Sequence, residues 1–331
     1  MPRLSIVIVS NRSARELETT LVSVLENRPT DCEIVVALAH DYADPYQLDG
    51  EVRFVRGRDG ASGISAAVEA IGECQGDAIH VLAAGAQVND GWADAALGHF
   101  ARDAHIGAVA PLVLDAADSR TVVSAGIHYH RGGKQRPRRA TLARSRICES
   151  HARPEVVLGP SLSAGFYRRD ALLAAVACVG VVGKHAMADA DVALSLSELG
   201  FLAVLEPRSL VFARPAPAQA GDSIGAGRAA EAVFWRHANG QGFAVSLIAH
   251  AVLVGGELCA ALVRPAIAKR LLGRLIGLCE LPRHLSHGGH LAQQIRLADD
   301  ESPASVSMSF EELSRAMRDE APSPVMARKA A

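Results

Sequence analysis

Apolar positions along the chain change period as it proceeds. Residues 4–9 are a nearly unbroken apolar run rich in β-branched side chains, the pattern of a strand covered on both faces in a parallel sheet. Ser10-Asn11-Arg12-Ser13 breaks that run, and Leu17, Leu21, Val24 and Leu25 then recur at helical spacing over residues 14–25. The alternation repeats: a strand over 33–38, another over 52–55, a turn at 57–60 and a small-residue helix over 61–74. Gly76 to Val88 reads as a central buried strand that stops at Ala83-Ala84-Gly85, after which Asn89-Asp90-Gly91 is expected to cap a helix starting near Trp92. Repeated strand-helix steps predict a doubly wound sheet.

Farther along, helical crossovers thin out. Residues 106–114 read as a strand and 122–129 as a strand or hairpin, so the second half of the sheet is expected to be mixed. Residues 163–170 read as a strand feeding a helix, 188–199 as a helix ended by Gly200, and 201–205 and 210–212 as short strands around Pro207. The Pro- and Ala-rich stretch from residue 215 has linker composition. This predicts an α/β domain over 1–214, a linker over 215–224, a helical region over 225–297 and a mostly disordered tail over 298–331. Within the tail, Ser309 to Glu312 forms a capping box for a short helix through Met317.

Composition narrows the functional classes. With 49% hydrophobic and 21% charged residues the chain can bury a large core, while a net charge of -2 and 4% aromatics give neither a basic footprint nor stacking platforms for nucleic acid. The six cysteines are dispersed without a C-x-x-C pair, which favours reduced thiols and a reducing compartment, hence a cytoplasmic location. The opening apolar run is too short for a signal segment.

Charge concentrates in one place. Arg131, Lys134, Arg136, Arg138, Arg139, Arg144 and Arg146 fall within a Gly- and Pro-containing stretch, which is either a solvated loop or a site for an anionic substrate or lipid headgroup. Residues 243–263 are apolar and long enough to raise a membrane span, but His250, Gly255, Gly256 and Glu257 fall at the middle. A helix after Pro265 then mixes Lys269, Arg270 and Arg274 with Leu271, Leu272, Leu275 and Ile276, as a helix lying in a membrane interface would; a helical hairpin packed on the domain is the alternative. His284, His287 and His290 are read as surface residues, because Gly288 and Gly289 break any helix that would align them for a metal.

The order of these pieces resembles the family 2 glycosyltransferases of GT-A fold, a Rossmann-like mixed sheet flanked by helices, here followed by a C-terminal helical region. The likeness rests on the opening strand through Arg12, on Glu33-Ile34-Val35-Val36, on Gly76-Asp77 and Gly91-Trp92 around the central strand, on Ala164-Gly165 with Arg168-Arg169, on Asp189 to Leu194 with Gly200-Phe201, and on Pro207. It covers about residues 4–214, and the helical region resembles the membrane-apposed helices that many such bacterial enzymes carry. Such enzymes transfer a sugar from a nucleotide diphosphate donor to an acceptor, here by implication a polysaccharide or glycolipid.

The resemblance also marks departures. The family places an Asp at the end of the second strand, where this chain has Ala37 and Leu38, and an Asp-x-Asp metal motif at the end of the central strand, where it has Ala83 and Gly85. A His that helps hold the metal corresponds to Ala213, and an Asn before the central strand corresponds to Val68. No metal or other cofactor is therefore expected. The family's acceptor base falls on Asp189, with Asp191 two residues on; capping of their helix is the competing role for both. Arg12, Arg56 and Arg58 at strand ends, and Arg136, Arg138 and Arg139 in the basic stretch, are the candidates for holding an anionic donor in place of a metal. Two readings stay open: a transferase that works without a metal, and a non-catalytic GT-A domain acting as a binding or assembly partner in envelope polysaccharide synthesis.

Overall fold

The computed structural model describes residues 3–11, 13–48, 50–57, 63–148, 155–179, 187–215, 223–238, 242–282 and 284. The chain runs β1 (Leu4–Ser10), α1 (Ala14–Asn27), β2 (Cys32–Leu38), β3 (Val52–Arg56), α2 (Gly63–Glu73), β4 (Ala78–Ala83), β5 (Gln87–Val88) and α3 (Trp92–Arg102). It continues through β6 (Ile106–Asp115), β7 (Val122–Ser124), β8 (Ile127–His130), β9 (Lys134–Pro137), α4 (Ser145–Cys148), β10 (Glu155–Val157), β11 (Phe166–Arg168) and α5 (Arg169–Val179). Last come α6 (Ala188–Glu198), β12 (Leu202–Ala213), α7 (Ile224–His237), α8 (Phe243–Ala261) and α9 (Pro265–Cys279).

The main sheet has the order β10-β12-β6-β11-β4-β1-β2-β3, with β5 added beside β12 and β7 beside β6. Strands β3, β2, β1 and β4 are parallel. β11 runs antiparallel between β4 and β6, which makes the second half mixed, as the thinning crossovers predict. Because side chains alternate across a strand, β1 feeds two cores. Val7 and Val9 pack with Ala66, Ala70 and Ile71 of α2 and Leu172 of α5. Ile6 and Ile8 pack with Leu17, Leu21 and Val24 of α1 and Trp92, Leu97 and Phe100 of α3. Complete burial of such side chains is worth roughly 1.5–3 kcal/mol each, so the three apolar positions of α1 suffice to fasten it.

Three details differ from the sequence reading. The strands expected on either side of Pro207 are one strand, β12, interrupted by a register shift between Glu206 and Leu210 that absorbs the proline. α3 is capped by Gly91 in the left-handed region, and neither Asn89 nor Asp90 supplies a side-chain cap. Part of the basic stretch forms a hairpin, β8 with β9. The tail over 298–331, with its expected capping-box helix, lies outside the described residues.

The helices of the C-terminal region are held to one another by close backbone approach, and to the α/β domain by charge. A Cβ on Gly227 would come within 1.9 Å of the Arg270 carbonyl oxygen, and one on Gly273 within 2.0 Å of the Ile224 carbonyl oxygen, so α7 and α9 touch main chain to main chain. Asp191 of α6 is fully buried and pairs with Arg236 and His237 of α7. His284, expected at the surface, is only 8% exposed; burial and the nearby Arg236 lower its pKa.

Candidate functional site

The parallel strands bring their carboxyl ends to one edge, with Ser10 beside Leu38, Leu38 beside Arg56 and Val9 beside Ala83. Open α/β sheets bind ligands outside this edge. Ser10 and His40 clip β1 to the loop after β2: His40 Nδ1 donates to the Asp41 carbonyl at 2.9 Å, which leaves Nε2 to accept from the Ser10 hydroxyl at 2.8 Å. Ser10 is fully buried, so the pair is a structural clip and presents no nucleophile. Beyond it, Arg56 and Asp41 form an exposed ion pair at 2.9 Å.

The end of β4 is a tight turn closed on itself. Ala84 N–H donates to Val9 O, Ala86 N–H to Ala83 O, and Gly85 N–H to both Glu16 O at 3.0 Å and Thr20 Oγ1 at 2.9 Å. Gly85 sits at φ 93°, a conformation that side chains rarely adopt, and this lets the turn fold back on α1. The amides that could have met an anion are already bonded within the protein. Hard divalent cations take oxygen ligands, and Ala83, Ala84 and Gly85 have none on their side chains. The residues at this position do not fit a metal. Among the described residues no group of three or more His, Cys, Asp or Glu is disposed to hold one.

Next to this turn lies a polar cluster. Ala83 N–H donates to Ser163 O at 2.8 Å, and the Ser163 and Ser161 hydroxyls are 2.8 Å apart. Asp189 accepts from Ser161 Oγ at 3.0 Å, from Leu162 N–H at 3.1 Å and from Gln135 Nε2 at 3.1 Å. Gln135 Oε1 in turn accepts from Ala190 N–H at 3.2 Å, fastening β9 to the first turn of α6. Tyr167 lies fully buried nearby, its phenol pKa raised by burial and then by the Asp189 charge. A half-buried carboxylate held by three donors has a fixed direction, the geometric requirement of a general base.

No protein-family model matches this chain, and no curated protein matches it. Among solved structures, GalNAc-T7 with UDP, GalNAc and Mn2+ superposes with a TM-score of 0.55 at 14% identity, covering 72% of this chain and 48% of that one. The fold is that of the GT-A glycosyltransferases. The chain spans about half the length of that GT-A structure, and the likeness concerns architecture. The mannosyltransferase PcManGT from Pyrobaculum calidifontis, in complex with GDP-Man and Mn2+, covers 92% of this chain and 88% of its own at 13% identity, but its TM-score of 0.45 is too loose to bear on the fold.

Within this GT-A frame the predicted residues part company. Asp189 reaches the neighbourhood of the central strand end, and the expected capping role is not seen: Met187 is the cap residue of α6 and no side chain caps it. Asp191 belongs elsewhere, because its carboxylate is consumed by Arg236 and His237 inside the junction with α7. Arg56 stands at the edge. Arg138 and Arg139 both pair with Glu155 at the start of β10, so they bind an internal carboxylate in place of the expected anionic ligand. Arg136 is exposed on β9, and Arg12 and Arg58 lie outside the described residues. The sequence reading missed Gln135, Ser161 and His40. Gln135 is the uncharged polar residue amid basic neighbours, but nothing local says that it reaches α6.

Proposed function

We propose that the chain is a glycosyltransferase of the family 2 kind, moving a sugar from a nucleotide diphosphate donor to a glycan or lipid-linked glycan without a divalent cation at the end of β4. The observation that carries this is the position of Asp189, linked through Ser161 and Ser163 to the end of the central strand. Asp189 would take the proton from the acceptor hydroxyl as that oxygen attacks the sugar. The diphosphate leaves as an anion, and Arg56, with Arg12 and Arg58, would supply the positive charge. Location on the cytoplasmic side suits thiols such as Cys74, whose pKa burial pushes up to about 11, making it a poor thiolate.

A second reading is favoured by the closed turn. With the amides around Gly85 bonded internally and no carboxylate there, the domain would act without turnover, as an assembly partner in envelope polysaccharide synthesis. Calorimetric titration with UDP-, GDP- and dTDP-sugars, in manganese and in chelator, separates these. Binding that chelator leaves unchanged, with transfer lost in Asp189→Asn, supports the first reading. Binding without turnover for any acceptor supports the second, and manganese-dependent binding refutes the metal-free site.

A further inference from the structure

The β8–β9 ribbon carries one face of a single sign. Its register sets His128 opposite Arg136 and His130 opposite Lys134. Cross-strand partners, and residues two apart on a strand, project from the same side, so these four share one face while Tyr129 and Gln135 share the other. Gln135 reaches Asp189, and Tyr129 packs with Ile127, Ala190 and Leu194, which applies their face to α6. The opposite face is turned outward: His128, His130 and Arg136 are exposed and Lys134 is half-buried.

These outward groups are not neutralised within the protein. Among the described residues the side chains of His128, Lys134 and Arg136 have no hydrogen-bond or ion-pair partner. The acid whose charge acts on Lys134 is Glu257, and both its oxygens are taken, Oε2 by Arg274 Nε at 2.7 Å and Oε1 by Arg270 at 3.0 Å. Burial, and then the neighbouring Arg136 and Arg270, lower the Lys134 pKa. A half-buried ammonium among guanidinium groups is an arrangement that an anion relieves. His130 adds a donor: its Nδ1 accepts from Gly132 N–H at 3.1 Å, so in the neutral ring the proton sits on Nε2.

The ribbon is held rigidly. A Cβ on Gly132 would meet the Ala249 carbonyl oxygen at 2.7 Å, and His250 Nδ1 donates to Gly132 O at 2.8 Å, so the turn is pinned to α8 and the outer face is organised in advance. Residues two apart on a strand are separated by ~7 Å and cross-strand partners by ~5 Å, so the four side chains frame a small polar group. Lys134 and Arg136 supply two positive charges, which a carboxylate would half balance and a phosphate dianion balances fully. A guanidinium fork also matches two phosphate oxygens. We propose that the outer face of the β8–β9 ribbon binds a phosphate or diphosphate group through His128, His130, Lys134 and Arg136. The site lies across the ribbon from Asp189 and stands independently of the transferase reading.

The test is calorimetric titration of the full chain with inorganic phosphate, pyrophosphate and, as the carboxylate comparison, glucuronate, joined to nuclear magnetic resonance of the histidine rings. Pyrophosphate is expected to bind at one site, far more tightly than glucuronate and less tightly as salt rises, and to shift the two ring signals that His128→Gln and His130→Gln remove. Lys134→Gln and Arg136→Gln should each weaken it on the order of tenfold at an unchanged melting temperature, while Arg102→Gln and Asp189→Asn bind as the wild type does. UDP and glucose 1-phosphate, titrated into the same variants, distinguish a nucleotide from a sugar phosphate as the source of the group. Absence of saturable pyrophosphate binding, binding that Lys134→Gln and Arg136→Gln leave intact, or equal affinity for glucuronate would each overturn the proposal. So would loss of binding in Asp189→Asn, which would put the phosphate on the other face of the ribbon.

Discussion

His237 offers the sharpest test of how the helical region is fastened to the α/β domain. Its ring is 1% exposed, with Nε2 at 2.8 Å from Asp191 and Nδ1 at 2.9 Å from Glu198. Burial opposes its protonation, but the two carboxylates outweigh burial and raise its pKa from 6.5 to about 9. A raised pKa means that the folded state binds the proton more tightly than the unfolded chain does. The resulting stability is fully present below 6.5 and is lost as pH rises through about 9. At ~1.36 kcal/mol per pH unit the gap amounts to about 3 kcal/mol, on the order expected for a buried pair whose partner is removed. The assay is urea unfolding of wild type and His237→Gln at about pH 6.5, 8 and 9.5. Other titrating groups largely cancel in the difference between the two proteins, which is expected to shrink by roughly 3 kcal/mol across that range. Parallel stability curves would refute the argument, since they would mean that His237 gains no proton on folding.

Other consequences are open to simpler measurement. Asp189→Asn keeps the size of the side chain and some of its hydrogen bonds, so any transfer activity should vanish while the melting temperature moves by only a few degrees; full activity at an unchanged melting temperature would make Asp189 a tether for the Ser161 loop. Gly273→Ala puts a methyl group against the Ile224 carbonyl oxygen, and because backbone cannot yield as a side chain can, a loss of about 3 kcal/mol or more is expected in chemical unfolding. Gly85→Ala should cost about 1–2 kcal/mol through its positive φ, measured the same way. In native alkylation followed by mass spectrometry, exposed Cys259 and Cys279 should react while buried Cys74, its thiol pushed up to about 11, stays unmodified; rapid labelling of Cys74 would contradict its burial.

Much of the architecture is legible in the chain because it depends on local period. The β-branched run of β1, the helical spacing of α1 and the small residues that end β4 each act over a few neighbours, and together they specify a mixed α/β sheet before any contact is known. The missing oxygen ligands at Ala83 and Gly85 are likewise a matter of residue identity. Position could not be read in the same way. Asp189 and Asp191 are two residues apart near the start of one helix, yet one faces the end of the sheet and the other is sealed between α6 and α7. Their roles depend on which elements pack on each side of that helix, and the partners Gln135, Arg236 and His237 are more than forty residues away. Glu257 shows the same limit: in the sequence it is a charge interrupting an apolar stretch, and only the packing of α9 supplies the two arginines that let it turn inward and leave an unbroken aliphatic face outside. Local structure follows from near-neighbour sterics and periodicity, whereas a charged group's role follows from the long-range partners that the tertiary fold delivers to it.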